Sequence, residues 1–255
     1  MEYTIKDATE DEIGDVIALC IPPDSNDPLL IKGVQTKKKW AQSVLDVYGS
    51  FARIAYRGST PVGMIQYRPD IDENTLEITC IFVPDGQNHK KGIGTLLLND
   101  LLNDIETPKP PFDKPLKALV AYAFEVPGFF PQHAFYLKKG FTNVEGDPYL
   151  MYYPLQKGYI HTKKEFTPQE EDKMNILIFF DPSCPFCVSF HEKLVASIKE
   201  ITDIPIRLIN MYDGAKEVKK RGTAPYCVVD TVPIQSFVTE KEKFQEEVKK
   251  ALNRN

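Results

Sequence analysis

From Leu76 the chain enters a short apolar stretch, Ile78, Cys80, Ile81, Phe82 and Val83, rich in residues that favour extended backbone. Pro84, Asp85 and Gly86 break it. Apolar residues return at Ile93, Leu96, Leu97, Leu101, Leu102 and Ile105, with Asn99, Asp100, Asn103 and Asp104 on the other side. That spacing is helical. The pattern predicts a buried strand, a basic loop and a helix.

The same reading predicts further elements on either side. Tyr3 to Ala8 reads as a strand, and Thr9 with Glu12 as a capping box for a helix to about Cys20. Ile21 to Pro28 reads as a loop and Lys37 to Tyr48 as a second helix. Phe51–Tyr56 and Val62–Tyr67 form a hairpin through Gly58 to Pro61. After a proline-rich loop come a strand at Leu116–Ala123, a short helix ending at Gly140, and strands at Phe141–Val144 and Tyr149–Tyr153. Gln156 to Lys173 is polar and without period, and reads as a linker. Asn175 to Leu252 then reads as strand, helix, strand, helix, two strands and helix.

The loop between Val83 and Ile93 is where chemistry becomes possible. Gly92 and Gly94 leave the backbone amides open to a ligand. Those amides are the unpaired donors of a helix start, and the helix dipole adds partial positive charge. Lys90 and Lys91 add full charges. The combination suits phosphate or pyrophosphate. It fits neither a P-loop nor a dinucleotide loop, since the glycine–lysine order is wrong and position 97 is leucine.

His89-Lys90-Lys91-Gly92-Ile93-Gly94 resembles the acyl-CoA loop of the GNAT acetyltransferases, Gln/Arg-x-x-Gly-x-Gly/Ala, with histidine where Gln or Arg is usual. Tyr136-Leu137-Lys138-Lys139-Gly140-Phe141 resembles a second signature of that family, while the asparagine common two turns earlier is absent, position 129 being phenylalanine. The resemblance covers residues 1–155. It implies an α+β acyltransferase fold with a mixed, largely antiparallel sheet, and acetyl-CoA as donor. It implies a thioester arm on Ile81, Phe82 and Val83, and a pyrophosphate on His89, Lys90, Lys91, Gly92, Ile93, Gly94 and Thr95. Tyr136 would be the general acid and, with Lys139, a donor contact. The base would be Glu77 or Glu125.

Asp181-Pro182-Ser183-Cys184-Pro185-Phe186-Cys187 at a helix start, followed by Arg221 to Pro225, resembles an α/β thioredoxin-like module over 174–255. A GNAT domain followed by such a module is similar to the YoaP-like acetyltransferases. A thiol at a helix N-terminus is activated by the dipole. Cys184 would attack and Cys187 resolve, with a cis Pro225 presenting backbone to the substrate. Cys184, Cys187, His191 and Cys227 could instead hold a metal. The leading expectation is an N-acetyltransferase acting on a small-molecule amine or peptide. The alternative is a thiol-disulfide or metal-binding protein with a CoA-binding scaffold.

Composition narrows this little. The 255 residues are 42% hydrophobic and 26% charged, with a net charge of -5. A weakly acidic chain has no global attraction to nucleic acid or anionic membrane. There is no apolar run long enough to span a bilayer and no leader-like N-terminus, so a cytoplasmic location is expected. Five cysteines are too few for a disulfide scaffold. Nothing in the sequence fixes the acceptor or the oligomeric state.

Overall fold

A computed structural model describes residues 2–22, 24–123, 131–223 and 225–253. The chain divides into two compact units: Met1–Asp24 with Ala41–Lys163, and Ser25–Trp40 with Lys164–Asn255. No helix among the described residues is long and apolar enough to cross a membrane.

The elements touching the first unit are β1 (Thr4–Asp7), α1 (Ile13–Cys20), α2 (Pro28–Tyr48), β2 (Ala52–Arg57), β3 (Thr60–Asp70), β4 (Thr75–Phe82), α3 (Ile93–Asp104), β5 (Ala118–Tyr122), α4 (Gln132–Lys138), β6 (Thr142–Asn143) and β7 (Leu150–Pro154). The strands form one sheet in the order β1-β2-β3-β4-β5-β7-β6. Every pairing is antiparallel except β4 with β5. The sheet is therefore mixed and largely antiparallel, as expected. The central strands bury Ile54, Met64, Ile65, Tyr67, Leu76 and Leu119. α1 packs against β3, and α3 against β2 and β3.

α2 begins nine residues earlier than the sequence pattern suggests. The Asp27 carboxylate accepts from the Leu29 amide at 2.8 Å, and Pro28 takes the first helical position. An aspartate cap followed by proline is a helix start. Among neighbouring prolines it passes for loop. The division between the two units falls within this helix, after Trp40.

The second unit contains β8 (Ile176–Phe180), α5 (Cys187–Lys199), β9 (Ile206–Asn210), α6 (Ala215–Lys220), β10 (Cys227–Val229), β11 (Val232–Pro233) and α7 (Lys241–Leu252). The sheet order is β11-β10-β8-β9, with β8 parallel to β9 and antiparallel to β10. Ile176 and Ile178 pack with Leu194, Ile198, Phe244 and Val248 from α5 and α7. Leu177, Phe179 and Val228 pack on the opposite face with Phe166 and Val218.

The stretch 156–173 is not a free linker. Gln156 donates to the Pro115 carbonyl, and Lys163 pairs with Asp147 at 2.7 Å, both within the first unit. From Lys164 the chain belongs to the second unit: the Thr167 amide donates to the Arg221 carbonyl, and Asp172 pairs with Arg221 at 2.6 Å. Polar composition conceals this because the anchors are an ion pair and backbone hydrogen bonds rather than apolar side chains.

Candidate active site

In the first unit the site forms where two strands part. β4 and β5 are paired from Thr75 with Ala118 to Ile78 with Ala121. β4 then continues to Phe82 along β3 only, with a register irregularity that leaves Thr79 opposite no residue between Gln66 and Tyr67. The Gln66 amide donates to the Thr79 hydroxyl at 2.8 Å and braces the bulge. Among the described residues, no strand pairs with the β5-side edge of Thr79–Phe82. Backbone groups on such an edge are available to a ligand. The Gln132 side chain, on the first residue of α4, reaches the Ile81 carbonyl at 3.4 Å.

α3 starts beside this opening. Gly92 caps it with φ 81°, a left-handed conformation, and Lys90 has φ 60°. The first hydrogen bond of the helix runs from the Leu96 amide to the Gly92 carbonyl. The amides of Lys91 to Thr95 have no acceptor among the described residues. A Cβ on Gly94 would lie 3.4 Å from the Phe135 ring and 3.6 Å from the Ile81 side chain. The helix start, the end of β4 and α4 therefore converge on one place. Lys90 and Lys91 are exposed, and neither pairs with a carboxylate among the described residues. Unclaimed amides, two free cations and an open strand edge suit an extended ligand with a phosphate-bearing end.

His89 departs from expectation. Its Nε2–H donates to the Val83 carbonyl at 2.8 Å. It ties the loop to the end of the strand instead of turning toward a phosphate, and it occupies a carbonyl that had been assigned to the donor arm.

Tyr136 is wholly buried, packed on Phe141 at 4.7 Å and Phe135 at 5.4 Å between ring centroids. Its hydroxyl has no hydrogen-bond partner among the described residues. Burial first, and then the Cys80 thiol close by, push its pKa above the ordinary tyrosine value. It stays protonated throughout the neutral range. Cys80 is the neighbour that sequence reasoning missed, having been read as a small buried hydrophobe in the strand pattern.

Two other assigned side chains are engaged elsewhere. Arg68 grips both Glu77 oxygens, at 2.8 Å and 3.0 Å, and Glu77 faces Val120 where β4 and β5 are still paired. A carboxylate in a bidentate clamp away from the opening is badly placed to take a proton there. The Lys139 ammonium lies over the Phe135 ring at 5.9 Å. Glu125 falls outside the described residues.

In the second unit, the Asp181 carboxylate accepts from the Ser183 amide at 2.8 Å, and the Cys187 amide donates to the Cys184 carbonyl at 3.1 Å. Cys184 is exposed, while Cys187 is buried at the first position of α5. Burial, then the charges of Cys184 and Asp181, push the Cys187 thiol up to about 12. Cys227 is fully buried, and burial followed by Glu247 pushes it up to about 12 as well. Of the pair Cys184 and Cys187, one thiol is open to solvent and the other sheltered. The metal alternative is not met: among the described residues no group of three or more His, Cys, Asp or Glu side chains is placed to hold an ion. Pro225 precedes Tyr226, whose carbonyl accepts from the Phe179 amide at the end of β8. The peptide before Pro225 involves a residue outside those described.

No protein-family model matches the chain, and no curated protein matches it. Solved structures do. The PaiA N-acetyltransferase of Thermoplasma acidophilum, crystallised with coenzyme A, is 16% identical over 60% of this chain and 99% of its own, with a TM-score of 0.44. A putative GNAT-family acetyltransferase of Desulfovibrio desulfuricans is 14% identical over 61% of this chain and 100% of its own, with a TM-score of 0.46. A GNAT-family acetyltransferase of Brucella melitensis, crystallised with acetyl-CoA, is 10% identical over 64% of this chain, covers 94% of its own, and has a TM-score of 0.42.

Proposed function

We propose that the first unit is an acetyl-CoA-dependent N-acyltransferase of the GNAT type. It would move an acetyl group to an amine of a small molecule or peptide. The observation that carries this reading is the opening of β4 beyond Ile78, next to a helix start whose amides have no acceptor among the described residues. Lys90, Lys91 and the amides from Lys91 to Thr95 would hold the donor's diphosphate, and the edge of Thr79–Phe82 its arm. The donor supplies an activated thioester carbonyl. The acceptor nitrogen bonds to that carbon, the carbon–sulfur bond breaks, and Tyr136 protonates the departing thiolate. Tyr136 regains a proton from solvent, into which the acceptor nitrogen has released its own. Glu125 is the candidate base in this reading, taking that proton from the nitrogen and passing it on to solvent.

The second unit is proposed as a thioredoxin-like module in which Cys184 binds a thiol-bearing substrate or, with Cys187, reduces its disulfide form, the two protein thiols becoming a disulfide. Its strand order β11-β10-β8-β9 and the cysteine pair at the start of α5 support this reading.

The test is thermal unfolding of the full chain with acetyl-CoA. A ligand of the native state at about 100 times its Kd adds about 2.7 kcal/mol of apparent stability. A rise in Tm that disappears in Lys90→Glu/Lys91→Glu is expected. An unchanged Tm at millimolar acetyl-CoA overturns the reading. The exposure of Cys184 favours one second reading, a thiol-disulfide protein that merely carries CoA. In that case Tm rises, but no panel of amines releases free thiol from acetyl-CoA.

A further inference from the structure

Cys187 and His191 stand one turn apart on α5, and both are buried. Helical positions i and i+4 are neighbours, about 5–6 Å between Cβ atoms. Side chains also lean toward the helix N-terminus, which carries the His191 ring in the direction of Cys187. The Nδ1 atom of His191 is buried with no hydrogen-bond partner among the described residues. The Cys187 thiol makes no hydrogen bond there either. The other sides of the imidazole are occupied: Phe180 meets it edge-on at 5.0 Å between centroids, and Nε2 is 3.8 Å from the Glu192 carboxylate. A buried polar atom without a partner costs about 1–3 kcal/mol. Here it lies one helical turn from the one thiol that would have to lose a proton while buried.

We propose that His191 accepts the thiol proton of Cys187 as Cys187 resolves a mixed disulfide on Cys184. This rests on the reading of the second unit as a thiol-disulfide module. The thiolate of Cys184 attacks a substrate disulfide, forming one sulfur–sulfur bond and expelling the first substrate thiolate. Cys187 then attacks Cys184 while its proton passes to His191 Nδ1. The second substrate thiolate leaves and takes that proton back. Two protein thiols become one disulfide, and one substrate disulfide becomes two thiols.

The charged groups around the imidazole are Glu192 on α5 and Lys32 on α2, and those around the Cys187 thiol are Cys184 and Asp181 in the loop after β8. Burial lowers the proton affinity of His191, Glu192 opposes this and Lys32 adds to it, so the ring rests neutral and able to accept. Burial likewise keeps Cys187 protonated at rest. Transfer creates imidazolium and thiolate side by side, and their attraction offsets the cost of burying either alone. Because transfer accompanies attack, no free buried thiolate accumulates.

The experiment uses the reduced full chain and hydroxyethyl disulfide, with acid quenching and peptide mass spectrometry. It follows formation of the mixed disulfide on Cys184 and its conversion to Cys184–Cys187. In His191→Gln the first step should keep its wild-type rate, which also reports an intact loop. The second should slow about a hundredfold near neutral pH. The deficit should close toward alkaline pH, where hydroxide replaces the imidazole, and added imidazole should restore His191→Ala. Resolution at the wild-type rate, or a slowing equal at every pH and unmoved by imidazole, overturns the proposal while leaving the thiol module intact. If wild type forms a mixed disulfide that never closes, the thiol-disulfide reading fails and this inference with it.

Discussion

The Arg221 guanidinium and the Asp172 carboxylate meet at 2.6 Å with both side chains wholly buried. Arg221 also donates to the Glu217 carbonyl, and Asp172 accepts from the Gln169 amide at 2.8 Å. Breaking one side of a buried pair leaves the other charge without compensation. Asp172→Ala should therefore destabilise the second unit by about 3–5 kcal/mol in denaturant melts. Burial works to raise the Asp172 carboxyl, but the hydrogen bonds from Arg221 and Gln169 outweigh it and hold the pKa low. Its contribution is present above the unfolded value of about 3.9 and fades as pH falls through the lower folded value. The stability gap between wild type and Asp172→Asn should close in acid. A constant gap down to pH 2 would refute the linkage.

At the start of α3 the prediction separates charge from backbone. Lys90 and Lys91 are exposed and unpaired among the described residues, so reversing both should weaken acetyl-CoA binding with little change in the Tm of the free protein. Gly92→Ala places a Cβ at φ 81°, a strain of about 1–2 kcal/mol, and should lower the Tm of the free protein. Calorimetric titration and thermal melts of both variants check the separation. Equal losses of binding in every salt concentration would argue against a phosphate contact.

Tyr136→Phe removes one oxygen from a ring that packs on Phe135 and Phe141. Stability should hold to within about 1.5 kcal/mol. If the hydroxyl protonates the leaving thiolate, kcat should fall about a hundredfold with KM nearly unchanged. Since the folded pKa lies above the ordinary value of about 10, wild-type activity should not fall through loss of this proton below that pH. Steady-state kinetics across pH decide it.

These three sites differ in how much of them the sequence could reveal. The loop from His89 to Gly94 was legible because glycine, lysine and helix-start signals are local and coincide. The parting of β4 from β5 was not: it depends on where a distant strand stops, and no residue in β4 announces it. Asp27 and Pro28 carried the helix start of α2 in plain sight, obscured by the prolines around them. Asp172 looked like one more acid in a polar tract, because its partner lies 49 positions away. Glu77 looked available for the same reason, since strand register brings Arg68 to it. Local signals that coincide were readable, whereas a local signal masked by its neighbours, and partners brought in by the fold, were not.

The paired cysteines at the start of α5, Cys184 and Cys187, should separate cleanly by reactivity. Cys184 is exposed, whereas Cys187 is buried with its thiol pushed up to about 12. Iodoacetamide near neutral pH should label Cys184 and spare Cys187 and Cys227 in the folded chain. The thiolate is the reactive form, so Cys187 should begin to label only as pH approaches 12 or as the unit unfolds. Peptide mapping after timed alkylation reads this directly. Equal labelling of the pair at neutral pH would contradict the burial of Cys187.

Gly33 offers the most local test of how the cysteine loop is held within the second unit. A Cβ at this position would lie 1.8 Å from the Pro185 carbonyl oxygen and 2.8 Å from its carbon. Both are backbone atoms, so no side-chain rotation can relieve the clash, and either α2 or the loop between Cys184 and Cys187 must shift. Gly33→Ala should cost about 1–3 kcal/mol despite the better helix propensity of alanine. Gly14 is the control: it sits in α1 with nothing within 4 Å of its would-be Cβ, so Gly14→Ala should stabilise by about 0.5–1 kcal/mol. The same pair of variants tests whether the loop moves. Alkylation of Cys184 should change rate in Gly33→Ala and not in Gly14→Ala. If Gly33→Ala is as stable and as reactive as wild type, the close approach of α2 to Pro185 does not hold in solution.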